Sequence, residues 1–262
     1  MKLSTHLIII LYCFLSILKG IDGKNQFPII NAEELKLSDK LKESGSKLIS
    51  QPNGFTKIKS NYNIDVLNQN TIIINIHGTK SRGYEWVSSL KKISNKYSNN
   101  FFYRHNWNLC PDSSAKILST DLVNLFSEFQ NADTLVIFGH SYGGVLAAFV
   151  ASELHLNIPI YINTIASPLA GNKNLSNRCN LRLDRDGMIN YPLWDNNIVF
   201  HQWRTQFELD NAFNNLNFDP QDIKIHNDEI TRLPSTMNGR RLGHNWSITW
   251  VINEFLNISH SP

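Results

Sequence analysis

GHSYGG, residues 139–144, places one serine among glycines directly after the apolar run TLVIF. Gly139 and Gly143 stand two positions either side of Ser141. That G-x-S-x-G spacing suits a sharp strand-to-helix turn presenting a hydroxyl nucleophile. Spacing alone is weak, since average Gly and Ser usage gives on the order of one such match in ten chains of this length. The plain alternative is an ordinary loop. A serine hydroxyl attacks a carbonyl only when a base takes its proton, and a carboxylate usually orients that base. A histidine and an acid must therefore reach the same place.

Nine histidines are available. His6 lies in the N-terminal apolar segment and His260 in the tail. His155 sits at a helix end, and His201 and His226 fall in strand-like runs where structural histidines belong. His140, inside the turn, is expected to point away from the nucleophile's side and bond locally. His244, in RLGHNWSI, follows the last expected strand in a Gly-preceded loop before the final helix. That places it at the sheet edge of Ser141. The acid should come from the loop after the strand before the last one, where Asp210 follows IVFHQWR. Asp219 and Asp228 are its rivals, and each of the three reads otherwise as a surface aspartate.

These residues need a scaffold, and apolar runs of strand length alternate with helix-length segments. Strands are expected at Thr71–Gly78, Phe101–Trp107, Thr134–Gly139, Ile158–Ala166, Asn196–Trp203 and Asp222–Asn227, from their β-branched and aromatic content. Helical spacing marks Tyr84–Tyr97, Asp112–Phe129, Val145–Leu154 and Trp246–Leu256. Alternation of this kind implies an α/β fold, a mostly parallel sheet with helices on both faces. Ligands then bind at the carboxyl ends of the strands, where Ser141 lies. Upstream, Ala32–Glu43 reads as a helix, and GFTKIK with NIDVL as a hairpin leading into the sheet.

At this point the chain, from about residue 70 to its end, resembles the α/β-hydrolase family in its lipase- and esterase-like members. The resemblance rests on the order Ser141, Asp210, His244, on GHSYGG, on the pair His77–Gly78 after an early strand, and on SPLAG at 167–171. It implies a serine hydrolase cleaving carboxylic esters without a cofactor or metal. Ser141, Asp210 and His244 would form the catalytic triad, and the backbone N–H groups of Tyr142 and Thr79 the oxyanion hole. His77 reads otherwise as a residue that only shapes its loop. A lid-like insert is implied at about 169–197, too short for a separate cap domain, with Met188, Leu193 and Trp194 as candidates to line an acyl pocket. The same triad would serve a thioesterase, an amidase or an acyltransferase, and a hydrolase scaffold can also act as a non-catalytic binding protein.

Whole-chain features bound the rest. The chain is 42% hydrophobic and 18% charged, with a formal net charge of +3. That composition suits a globular core and argues against an electrostatic nucleic-acid partner. The expected partner is a small-molecule or lipid ester, with a lipid or membrane interface open and no oligomeric state implied. Lys2 followed by LIIILYCFLSIL reads as a signal peptide over 1–20, with the cut after Gly20 or Gly23, and residues 24–262 as one domain. Export, extracellular or periplasmic, would follow. Loss of the leader removes Cys13 and leaves Cys110 and Cys179, either as one disulfide or as two buried thiols.

Overall fold

The computed structural model describes residues 27–61, 69–171 and 173–258. The leader expected at 1–20 and the NIDVL arm of the expected hairpin lie outside them. Among the described residues ten strands and six α-helices follow in chain order: β1 (Ile29–Asn31), α1 (Leu41–Ile49), β2 (Gly54–Lys59), β3 (Thr71–Ile76), α2 (Tyr84–Ser94), β4 (Asn99–Arg104), α3 (Pro111–Glu128), β5 (Thr134–His140) and α4 (Tyr142–Ala151). They continue with β6 (Ile160–Ile165), α5 (Lys173–Cys179), β7 (Ile198–Arg204), β8 (Asp228–Arg232), β9 (Thr236–Met237), β10 (Arg240–Arg241) and α6 (Trp246–Ile258).

Eight strands form one sheet in the order β1-β2-β4-β3-β5-β6-β7-β8. Every neighbouring pair is parallel except β2 with β4. Parallel strands need crossover connections; α-helices provide them except between β7 and β8, where the connection carries only a 3₁₀ turn at Phe207–Leu209. Central strands are buried on both sides, which is why β3 reads as an unbroken TIIINI rather than an alternation. Ile72, Ile74 and Ile76 pack with Leu118 and Leu122 of α3 and with Val145 and Leu146 of α4. On the opposite face Ile73 and Phe138 pack with Trp86 and Leu90 of α2 and with Ile248 and Val251 of α6. Cover thins toward one edge, where Tyr161 on β6, Val199 on β7 and Ile230 on β8 are exposed.

Expected elements and observed ones agree in type for the central strands and helices, with ends shifted by a few residues. At the N-terminal side the single helix over Ala32–Glu43 is instead two short 3₁₀ turns, Ala32–Glu34 and Ser38–Lys40, before α1 begins at Leu41. GFTKIK is a strand, and it inserts between β1 and β4 in the main sheet. The strand expected at Asp222–Asn227 is not one. Ile223 and Ile225 are buried as a strand would bury them, but side chains satisfy that backbone. Gln202 and Arg204 both donate to the Ile223 carbonyl, and Asp228 accepts from the Ile225 amide at 3.0 Å. The edge strand begins afterwards, at Asp228.

Arg204 is the pin of this segment. It donates to Gln202 Oε1 at 3.1 and 3.0 Å, to Asp222 at 2.9 Å and to the Ile223 carbonyl. Replacing it with Leu removes these charge-assisted bonds and takes both Arg204 donors from the buried Gln202 Oε1. Chemical denaturation should show a loss of about 2–3 kcal/mol.

Candidate active site

β5 delivers the serine. Ser141 follows His140 at the strand's carboxyl end and caps α4, with φ 54° and ψ −124°. A non-glycine residue in that region is strained, and it persists only where the surroundings hold it. Its N–H donates to the Ile165 carbonyl at 2.9 Å and its carbonyl accepts from Gly144 N–H at 3.0 Å. The glycines make the turn possible. A Cβ on Gly143 would come within 2.5 Å of the Ile76 carbonyl oxygen, so no side chain fits between α4 and the end of β3. A Cβ on Gly78 would stand 2.8 Å from the Ser141 Cβ, so the loop after β3 reaches the serine only as glycine.

β7 delivers the acid. Thr205 follows the strand, a 3₁₀ turn spans Phe207–Leu209, and Asp210 closes it with 0% exposure. A carboxylate so buried needs its oxygens occupied. Oδ2 accepts from the Thr205 hydroxyl at 2.6 Å and from His244 Nδ1 at 3.0 Å, and Oδ1 accepts from Ala212 N–H at 2.9 Å. With Nδ1–H committed to Asp210, the His244 lone pair stands on Nε2, the nitrogen that a nucleophile's proton would reach. Asp219 is engaged elsewhere, with Arg232 at 2.8 Å and Gln221 at 3.0 Å. Asp228 serves Gln202 and the Ile225 amide. Of the three candidate acids, Asp210 is the one bonded to His244.

Two rings flank the imidazole. Phe213 meets it edge-on at 5.0 Å, and the His140 ring lies 4.6 Å away. His140 Nε2 donates to the His244 carbonyl at 3.1 Å, and the Ser247 hydroxyl donates to the same oxygen. The expectation that His140 turns away and bonds locally is therefore corrected: its partner lies across the site. The miss has a physical cause, because only tertiary packing brings residue 244 to the end of β5. Burial, then the nearby His244 charge, holds His140 well below the ordinary histidine range, so it stays neutral beside His244.

Gly78, Thr79, His140, Ser141, His244 and Asn245 line one cleft of about 160 Å³, together with Lys80, Arg82 and Glu85. A second trough of about 430 Å³ also opens on Ser141 and Thr79, and Trp107, Tyr142, Pro168 and Leu175 form its apolar wall. Tyr142 is the first residue of α4, so its N–H has no carbonyl to serve within the helix. Its phenol donates to the Leu109 carbonyl at 2.7 Å, away from the backbone amide.

Cys110 and Cys179 are joined as a disulfide that ties α5 to the start of α3. The three residues expected to line an acyl pocket do not reach Ser141. Met188 and Trp194 pack on the core, Trp194 stacking on Phe200 at 4.9 Å, while Leu193 is 74% exposed. The segment gives Leu175 and Arg178 to the trough instead. Apolar side chains in a long insert carry no sign of which way they face.

His77 supports the loop that carries Thr79. Its Nδ1 donates to the Gly78 carbonyl at 2.8 Å, its Nε2 accepts from His105 N–H at 3.3 Å, and the two rings stack at 4.5 Å. Burial first, then the His105 charge, lowers His77 to about 3. An unfolded histidine titrates near 6.5 (approximately), so the unfolded chain takes the proton first. Stability is full above about pH 6.5 and is lost as pH falls toward about 3. His105 and His140 are depressed in the same direction. Melting temperature should drop between about pH 7 and pH 4, and less steeply in His77→Asn than in the native chain.

Comparisons with known proteins give one family match and a set of similar solved structures. The profile of the lipase (class 3) family matches residues 73–235. A search of the curated proteins finds no match. Among solved structures, the Bacillus licheniformis lipase BlEst2 in its mature form is 14% identical, with TM-score 0.49 over 75% of this chain and 94% of that one. Esterase B of Lactobacillus rhamnosis, in its tributyrin phosphonate structure, is 16% identical, with TM-score 0.47 over 73% of this chain and 75% of that one. The esterase domain of a Rhodothermus marinus protein is 14% identical, with TM-score 0.43 over 75% and 89%. With its family profile running from β3 past β8 through both Ser141 and Asp210, the chain belongs to the lipase (class 3) family and is a lipase/esterase-type hydrolase of the α/β-hydrolase fold.

Proposed function

We propose that the protein is an exported serine esterase whose substrates are carboxylic esters with an apolar acyl part. The observation that carries this reading is the bond from His244 to the buried Asp210, with Ser141 on a strained turn lining the same cleft as His244. Ser141 Oγ attacks the carbonyl carbon while His244 Nε2 takes the hydroxyl proton. Asp210 holds the imidazole's tautomer and offsets the imidazolium charge without taking the proton itself. The backbone N–H groups of Tyr142 and Thr79 receive the oxyanion, each worth about 3 kcal/mol in the transition state.

Collapse of the tetrahedral adduct breaks the ester C–O bond, and His244 returns its proton to the leaving alcohol. Water then attacks the acyl-Ser141 ester by the same relay and releases the acid. The trough walled by Trp107, Tyr142, Pro168 and Leu175 takes the acyl chain. Export rests on the leader-like residues 1–20 and on the Cys110–Cys179 bridge, since disulfides persist in oxidising compartments.

Ser141→Ala should lower kcat on a short-chain nitrophenyl ester by roughly four to six orders of magnitude, with an unchanged circular dichroism spectrum. A rate within a few-fold of the native enzyme would remove Ser141 from the mechanism.

A further inference from the structure

The proposal concerns the alcohol half of the substrate and rests on the esterase reading above. Two clefts leave Ser141, and they differ in one informative respect. His244 lines the smaller, polar cleft and is absent from the trough. In ester cleavage the base returns its proton to the leaving oxygen, so the alcohol portion lies on the side that His244 lines. The acyl chain is left with the trough.

The alcohol side is strongly one-signed. Lys80 and Arg82 line the cleft, and Arg240 and Arg241 line the adjoining depression beyond His244. Glu85 is the one carboxylate lining either hollow, and it accepts the Ser81 hydroxyl. Among the described residues no ion pair involves Lys80, Arg82, Arg240 or Arg241. Arg240 lies over the Trp246 ring at 5.9 Å, which places its charge without neutralising it. On the acyl side Arg178 lines the trough, and Lys80 stands where trough and cleft meet, whereas Arg82, Arg240 and Arg241 line the alcohol side and not the trough. A small cleft lined by one sign of charge concentrates the opposite sign, and a guanidinium fork matches the oxygens of phosphate or carboxylate.

We infer that Lys80 and Arg82 bind a compact anion, phosphate or carboxylate, carried by the alcohol portion of the ester, with Arg240 and Arg241 extending the same field. The anion then determines which ester is cleaved, and the residues act by binding rather than by chemistry.

The test compares kcat/KM on two water-soluble, monomeric esters, dibutyrylglycerol and dibutyrylglycerol 3-phosphate. The native enzyme should prefer the phosphate-bearing ester. The preference should fall roughly tenfold in Lys80→Gln/Arg82→Gln. It should also collapse in about 1 M salt, where the screening length is about 3 Å. Lys80→Arg/Arg82→Lys, which keeps both charges, should retain most of it, and this arm decides the matter if the neutralised variant fails to fold.

Equal rates on the two esters, or a preference that survives neutralisation, would overturn the assignment. So would a preference seen only on phosphatidylcholine vesicles doped with phosphatidylserine, since the cations would then serve a lipid surface instead of the substrate. Failure of the esterase reading looks different: neither ester is cleaved, and a neutral fluorophosphonate leaves Ser141 unlabelled.

Discussion

A carboxylate with no exposure to water costs several kcal/mol unless its oxygens are hydrogen-bonded, and Asp210 is in that position. Thr205, the Ala212 amide and His244 meet the demand. This cluster joins the segment that leaves β7, from Thr205 to Ala212, to the distant loop before α6. Each part is therefore committed to a conformation by the need to satisfy one buried charge. The imidazole receives its orientation and tautomer from the same contact, so a demand of folding and, in the proposed mechanism, a demand of chemistry are met by one hydrogen bond.

The serine depends on a separate constraint, the close approach of backbones at the end of the central strands. Gly143 lets α4 start against the carbonyls that end β3, and Gly78 lets the next loop lie on Ser141. The strain at Ser141 is held by the parallel strands on either side and by α4, which is buried along its length. His140 links the two constraints, because it ends β5 and also holds the carbonyl of His244.

Much of this was legible in the residues. The strand-turn-helix around Ser141 follows from TLVIFGHSYGG, because a buried parallel strand and a glycine-flanked turn are local events. The pairing of Asp210 with His244 agrees with their chain order, although only Asp210 follows a strand of the main sheet, and the ribbon of β9 and β10 precedes His244. Features set by tertiary contact were not legible. Ile223 and Ile225 alternate like a strand, yet Arg204 and Gln202 take that backbone from the ladder. Met188 and Trp194 read equally as pocket wall or core, and packing on Phe200 decides for Trp194. The cations around His244 lie 160 residues apart by their numbering, Lys80 on the loop after β3 and Arg240 in β10, and become a cluster only when the fold brings these segments together.

The account stands on the relay from Asp210 through His244 to Ser141, and the most direct measurement is the rate of fluorophosphonate labelling with peptide mapping. It should be run on the native chain, Asp210→Asn and Asp219→Asn. The account predicts labelling of Ser141 in the native chain and in Asp219→Asn, and a fall on the order of 10⁴-fold in Asp210→Asn, whose imidazole loses its fixed tautomer. Labelling of another residue, or Asp210→Asn reacting as fast as Asp219→Asn, would contradict it.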